Sequence, residues 1–142
     1  ILMEQDVVKF TVPGNPVGKA RPRMTRSGHA YTPDKTVSYE NLVKMCFIEK
    51  YTDWVPVSGE AILRLNAYYP IPKSASRKKK IDMVIGEIRP TKKPDLDNVM
   101  KAIADALNGI AYVDDSQIVT AEVRKYYDDT PRVEVVIDFR RE

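Results

Sequence analysis

Asp95–Asn108 reads DLDNVMKAIADALN, and Gly109 follows it. Val99, Met100, Ile103, Ala106, Leu107 and Ile110 recur at helical spacing, so the stretch predicts an amphipathic helix over Asp97–Asn108 with its apolar stripe on a core. Asn108-Gly109 is a stop signal. The opposite side carries Asp97, Lys101, Asp105 and Asn108. Asp97 reads as the cap, with Asp95 just before it. Both carboxylates then sit at the positive end of the helix dipole, which favours their ionised forms. They also crowd each other, which costs free energy unless something neutralises them.

Working outward, Gln5–Val12 predicts a first strand, closed by Pro13-Gly14. Gly14–Thr32 reads as a long basic arm or loop, of the kind that is often functional or mobile. Pro33–Tyr51 has helical spacing, with Val37, Leu42, Met45 and Ile48 on one apolar side and Cys46 and Phe47 packed there too. Glu60–Tyr69 alternates around Ile62, Leu65, Ala67 and Tyr69 as a second strand, ended by Pro70 and Pro72. Ser74–Ile85 predicts a short basic helix capped by Ser74 or Ser76. Val119–Tyr127 and Arg132–Phe139 predict two strands joined at Asp128-Asp129-Thr130-Pro131 as an antiparallel hairpin. The mixed order makes the class α+β, a small mixed or antiparallel sheet packed with helices. At 142 residues and 43% apolar content the chain predicts one globular domain. Ile1–Met3 reads as added residues up to a native Met3.

The net charge of +3 conceals patterning. Thr11–Arg26 holds Lys19, Arg21, Arg23 and Arg26 and no acid. Ile71–Lys93 holds eight cations against Asp82 and Glu87. Such blocks suggest a polyanionic partner, usually nucleic acid, although one such run alone is as readily a solvated surface. No apolar run spans a bilayer and no secretory leader is visible. Cys46 is the only cysteine, which fits a reducing cytoplasm. His29 is the only histidine, which excludes a multi-histidine zinc centre. No P-loop or dinucleotide fingerprint is present.

Asp114 and Asp115 follow the helix after a short connection, and the chain can bring one of them back beside Asp95 and Asp97. Three meeting carboxylates describe a Mg²⁺ site with positions left for a phosphate. Such an ion activates water and stabilises the leaving oxygen in phosphodiester hydrolysis. Lys101, four residues after Asp97, could add positive charge to that transition state. Taken singly, each part has a plainer reading: Asp-x-Asp as a cap, Asp-Asp as a turn, Lys101 as a surface lysine, Asp105 as structural.

Asp95-Leu96-Asp97-Asn98, Lys101, Asp105-Ala106-Leu107-Asn108-Gly109 and Asp114-Asp115-Ser116-Gln117-Ile118 together closely resemble the RusA family of Holliday junction resolvases. Gly18-Lys19-Ala20-Arg21-Pro22-Arg23 and Ala30-Tyr31-Thr32-Pro33 resemble the arm of one branch. The resemblance implies a cytoplasmic homodimer of bacterial or phage origin, acting in recombination and repair. It implies paired symmetric nicks in four-way junction DNA, with Mg²⁺ or Mn²⁺. It carries Asp95, Asp97 and Asp115 over as metal-binding catalytic acids and Lys101 as the catalytic lysine, with Asp114 an additional ligand or a turn former. Lys19, Arg21, Arg23, Lys78, Lys79, Lys80, Lys92 and Lys93 then become DNA contacts. Two competing readings remain: a non-catalytic, structure-selective DNA-binding protein, and a metal-dependent enzyme on another phosphate substrate.

Overall fold

The computed structural model describes residues 5–140. The reading of Ile1–Met3 lies outside them. The elements run β1 (Gln5–Pro13), β2 (Arg23–Met24), β3 (Ala30–Tyr31), α1 (Asp34–Lys50), β4 (Glu60–Pro70), α2 (Arg77–Val84), α3 (Leu96–Ala106), a 3₁₀ turn (Asp115–Gln117), β5 (Ile118–Asp128) and β6 (Arg132–Arg140). One four-stranded sheet has the order β1-β6-β4-β5. β6 is antiparallel to both β1 and β4, and β4 is parallel to β5. This is a mixed sheet with three helices, in line with the α+β expectation.

The predicted hairpin does not form. β5 and β6 are consecutive, yet β4 lies between them. The burial pattern explains why. On β4, Ala61, Leu63, Leu65, Ala67 and Tyr69 are 2% exposed or less, and Ile62, Asn66 and Tyr68 on the other face are half-buried. Arg64 alone in the middle of that face stays exposed, and a strand so largely covered belongs inside the sheet. On β5 only Tyr127 is buried, which suits an edge. Arg132 braces the step across the end of β4, donating to Asp128 Oδ2 at 2.7 Å and to the Thr130 carbonyl at 2.8 Å. The parallel β4–β5 pair requires a long crossover, and α2 and α3 supply it.

α1 and α3 pack on the apolar face of the sheet. α1 is turned from its predicted orientation. It buries Thr36, Tyr39, Val43 and Phe47, half-buries Leu42 and Cys46, and leaves Val37, Met45 and Ile48 exposed. Phe47 contacts Phe10, Tyr51 and Trp54 with ring centroids 5.3–5.9 Å apart. Each such pair adds about 0.5–1.5 kcal/mol beyond area burial, which fixes the rotation. Thr36 was missed because it is polar; its hydroxyl accepts the Ala20 N–H. On β4, Leu63 takes the core place expected of Ile62. α2 starts as predicted, with the Ser76 hydroxyl accepting the Lys79 N–H.

The segment after β1 is anchored at its root. The Lys19 N–H donates to the Asn98 carbonyl at 2.9 Å. Lys19 Nζ lies 3.1 Å from Glu40 on α1 and 3.3 Å from Asp105 on α3. Burial lowers the Lys19 pKa, but the bonds to Glu40 and Asp105 outweigh it and leave the value raised. Gly18 is needed there: a Cβ would meet Pro94 Cβ at 2.9 Å and Asn98 Cβ at 3.0 Å. Beyond the root the arm ends in the exposed β2–β3 ribbon, turned at Gly28 with φ 85°.

Candidate active site

The N-cap of α3 lies two positions earlier than the sequence suggests. Asp95, not Asp97, is its N-cap residue, and Asp97 lies in the first turn. The Asp95 side chain makes no capping hydrogen bond. Its surroundings come from β4 and β5. The Tyr69 hydroxyl donates to the Pro94 carbonyl. Burial, and then the Asp95 charge, push the Tyr69 phenol up to about 12. Burial lowers Lys125, with Lys92 adding to the effect and Asp95 opposing it. Lys125 therefore borders Asp95, and Arg89 braces its strand, Nε donating to the Lys125 carbonyl at 2.9 Å. Sequence reading missed Lys125, because a lone lysine on a strand carries no motif.

At the other end of α3 the two acids have different tasks. Asp114 Oδ2 accepts the Ser116 N–H at 3.0 Å, and the Asp114 N–H donates to Gln117 Oε1 at 2.9 Å. This is a complete capping box on the 3₁₀ turn. The Ser116 bonds hold the Asp114 carboxyl below its ordinary range. Gln117 in turn donates to the Val57 and Gly59 carbonyls, pinning the turn to the segment that leads into β4. Asp115 is fixed through its backbone, whose N–H donates to Asn108 Oδ1 at 2.9 Å. Burial and then Asp115, Asp105 and Asp114 raise the buried Tyr112 phenol.

Asp95, Asp97, Lys101 and Asp115 keep their charged ends free of hydrogen bonds and ion pairs with described residues. Two such carboxylates with water suit a hard ion such as Mg²⁺, which commonly takes one or two acids and phosphate oxygens. The third acid is elsewhere. Asn108, which holds Asp115, comes thirteen positions after Asp95, roughly 20 Å along a helix. β5 gives a similar span, since Asp95 neighbours Lys125 while Asp115 precedes Ile118. Among the described residues, no three His, Cys, Asp or Glu side chains are grouped to hold a metal ion. The expectation that the chain folds Asp115 back beside Asp95 and Asp97 is not met within one chain. A rigid helix separates them. Lys101 lies between the two ends and shares a cleft of about 350 Å³ with Asp115, Asp105, Met100 and Val119.

The cations divide as well. Lys19 is occupied by Glu40 and Asp105 and is only 17% exposed, so it is a clamp in this structure and not a free contact. Arg21 and Arg23 are exposed on the arm, Lys78 and Lys79 on α2, and Lys92 and Lys93 on the approach to Asp95; Lys80 is half-buried. His29 is exposed. Cys46 is half-buried, and burial followed by Glu49 raises its thiol, which disfavours the thiolate. No described helix is long and apolar enough to cross a membrane.

The chain is 41% identical over 137 residues to "Uncharacterized protein YqaN" of Bacillus subtilis (strain 168), covering 93% of this chain and 96% of that protein. It is 46% identical over 48 residues to "Crossover junction endodeoxyribonuclease rusA" of Lactococcus phage r1t, covering 33% of this chain and 37% of that protein. Residues 13–138 match the family described as Endodeoxyribonuclease RusA, a span that contains α3, both acid pairs and the whole arm. On that match the chain belongs to the RusA endodeoxyribonuclease family.

Proposed function

We propose that this protein is a Holliday junction resolvase working as a homodimer, with each active centre built from two chains. The observation that carries the reading is the placement of Asp95 and Asp97 at one end of α3 and Asp115 at the other. A two-fold axis crossing α3 near its middle exchanges its ends. It sets Asp95 and Asp97 of one chain beside the partner subunit's Asp115, and does so twice. The surface along that axis suits a partner. β5 is a sheet edge with Val119 58% exposed and Thr120 and Ala121 open, and unpaired edges are normally covered.

In this arrangement Asp95, Asp97 and the partner subunit's Asp115 hold Mg²⁺, or Mn²⁺ of the same ligand class. The ion supplies an activated water and charge stabilisation at the phosphoryl oxygens. Lys101, free of ion pairs and facing the same cleft as Asp115, adds positive charge at the reacting phosphate. Arg21, Arg23, Lys78, Lys79, Lys80, Lys92 and Lys93 hold the DNA arms by their phosphates, in a contact that weakens steeply with salt. Two centres related by one axis match two symmetric nicks. A purely DNA-binding role would use the acids as caps and turns, and only Asp114 has that task.

The test mixes two inactive variants, Asp97→Asn and Asp115→Asn, on an end-labelled four-way junction with Mg²⁺, alongside wild type with Mg²⁺ and with EDTA. In a shared centre the mixed dimer has one intact site and one doubly damaged site. Single nicks should return on mixing. If each chain held its own complete centre, mixing would restore nothing. An uncut junction with wild type and Mg²⁺ would remove the resolvase reading altogether.

A further inference from the structure

A cavity of about 590 Å³ lies between the root of the arm and the start of α3. Arg23 from β2, Lys35 from the first turn of α1 and Lys93 from the crossover line it, with Asp95 at its edge. All three cations are exposed, and none makes an ion pair with a described residue. Lys19 lines the cavity too, but Glu40 and Asp105 neutralise it. Three unpaired positive charges from three separate elements therefore face one concave space, against a single carboxylate. A concave surface focuses such a field and concentrates anions.

We propose that this cavity is a nucleotide-phosphate subsite, which seats the backbone of the strand to be cut one phosphate away from Asp95. The assignment rests on the endonuclease reading. Its size falls in the range of small-ligand sites, enough for one or two nucleotides of a single strand and far too little for a duplex. The arm then acts as a fixed wall, because Lys19 and Gly18 clamp its root against α1 and α3. Lys35, which no motif singles out, is the residue the cavity adds to the DNA contacts. Arg23 and Lys35 approach the phosphate from one side and Lys93 from the side of the acids, so that its neighbour along the strand lies over Asp95.

The test uses amide NMR of the full chain in EDTA, titrated with thymidine 3′,5′-bisphosphate. The Gly18, Thr36 and Asn98 resonances should move together. Lys35→Glu should weaken binding at least tenfold, while the exposed control Lys73→Glu leaves it unchanged. Arg23→Glu, on the exposed ribbon, repeats the test should Lys35→Glu fail to fold. Shifts confined to another surface, unaltered binding in both charge reversals, or equal binding of inorganic phosphate would each overturn the subsite. Junction cleavage by wild type with no bisphosphate in the cavity sinks this inference alone. Bisphosphate in the cavity with an uncut junction sinks the resolvase reading alone.

Discussion

Asp95 and Asp114 occupy equivalent positions, each the N-cap of a helical segment, and do opposite things there. Asp114 satisfies the Ser116 N–H and closes a capping box with Gln117. Asp95 satisfies no backbone donor through its side chain. A cap is typically worth about 1 kcal/mol, so an uncapped Asp beside a second acid forgoes stability that a local rearrangement would supply. The comparison separates a carboxylate used for folding from one kept available. It also separates the two ends of α3: the far end is braced through Gln117 to the segment leading into β4, and the near end is an open acid pair fringed by lysines.

The comparison breaks most visibly at Lys101. If the free groups along α3 do chemistry, Lys101→Met should lower the junction cleavage rate by about 10²–10³-fold, the usual cost of losing one positioned electrostatic donor. Junction affinity in EDTA should change far less, because Lys101 is one cation among many. Equal loss of binding and cleavage would make Lys101 a phosphate contact and leave the acids without their partner.

Gly18 tests how the near end is built. A methyl group there meets Pro94 and Asn98 within 3.0 Å, and both belong to the start of α3. Gly18→Ala should cost about 1–3 kcal/mol in chemical denaturation. It should also slow cleavage by lifting the arm from Asp95, with net charge unchanged. Normal stability would mean that the arm root yields freely and is no wall.

The physical reach of sequence reading shows in these same residues. α3 was legible because its apolar stripe is strict; only its ends shifted, the cap moving two positions from Asp97 to Asp95 and the last helical residue from Asn108 back to Ala106. The carboxylates were legible as a motif and through family likeness. Their spatial relation was not, because helical periodicity gives a face and says nothing of what meets its ends. The β5–β6 hairpin failed for a related reason. Local alternation identifies a strand, but β4, buried on one face and largely covered on the other, inserts between the two, a non-local preference. α1 rotated because a hydrophobic count ignores Thr36 and Tyr39. Lys19, assigned to DNA through the family likeness and its charge, pairs with Glu40 and Asp105, which lie far away in the chain.

The smallest effect sharpens the comparison by pH. The Asp114 carboxyl is held below its ordinary pKa by the Ser116 bonds, so the folded state favours its ionised form. That contribution is complete above the unfolded value near 4 and is lost as pH falls through the lower folded value. Wild type should therefore melt above Asp114→Ala by a constant margin from about pH 5 to 8, and the gap should shrink below about pH 4. Asp95→Asn, which removes no cap bond, should stay within about 0.5 kcal/mol of wild type at neutral pH. If Asp95→Asn proves the more damaging of the two, Asp95 is a structural cap in solution, and the metal-binding assignment at this end of α3 loses its physical basis.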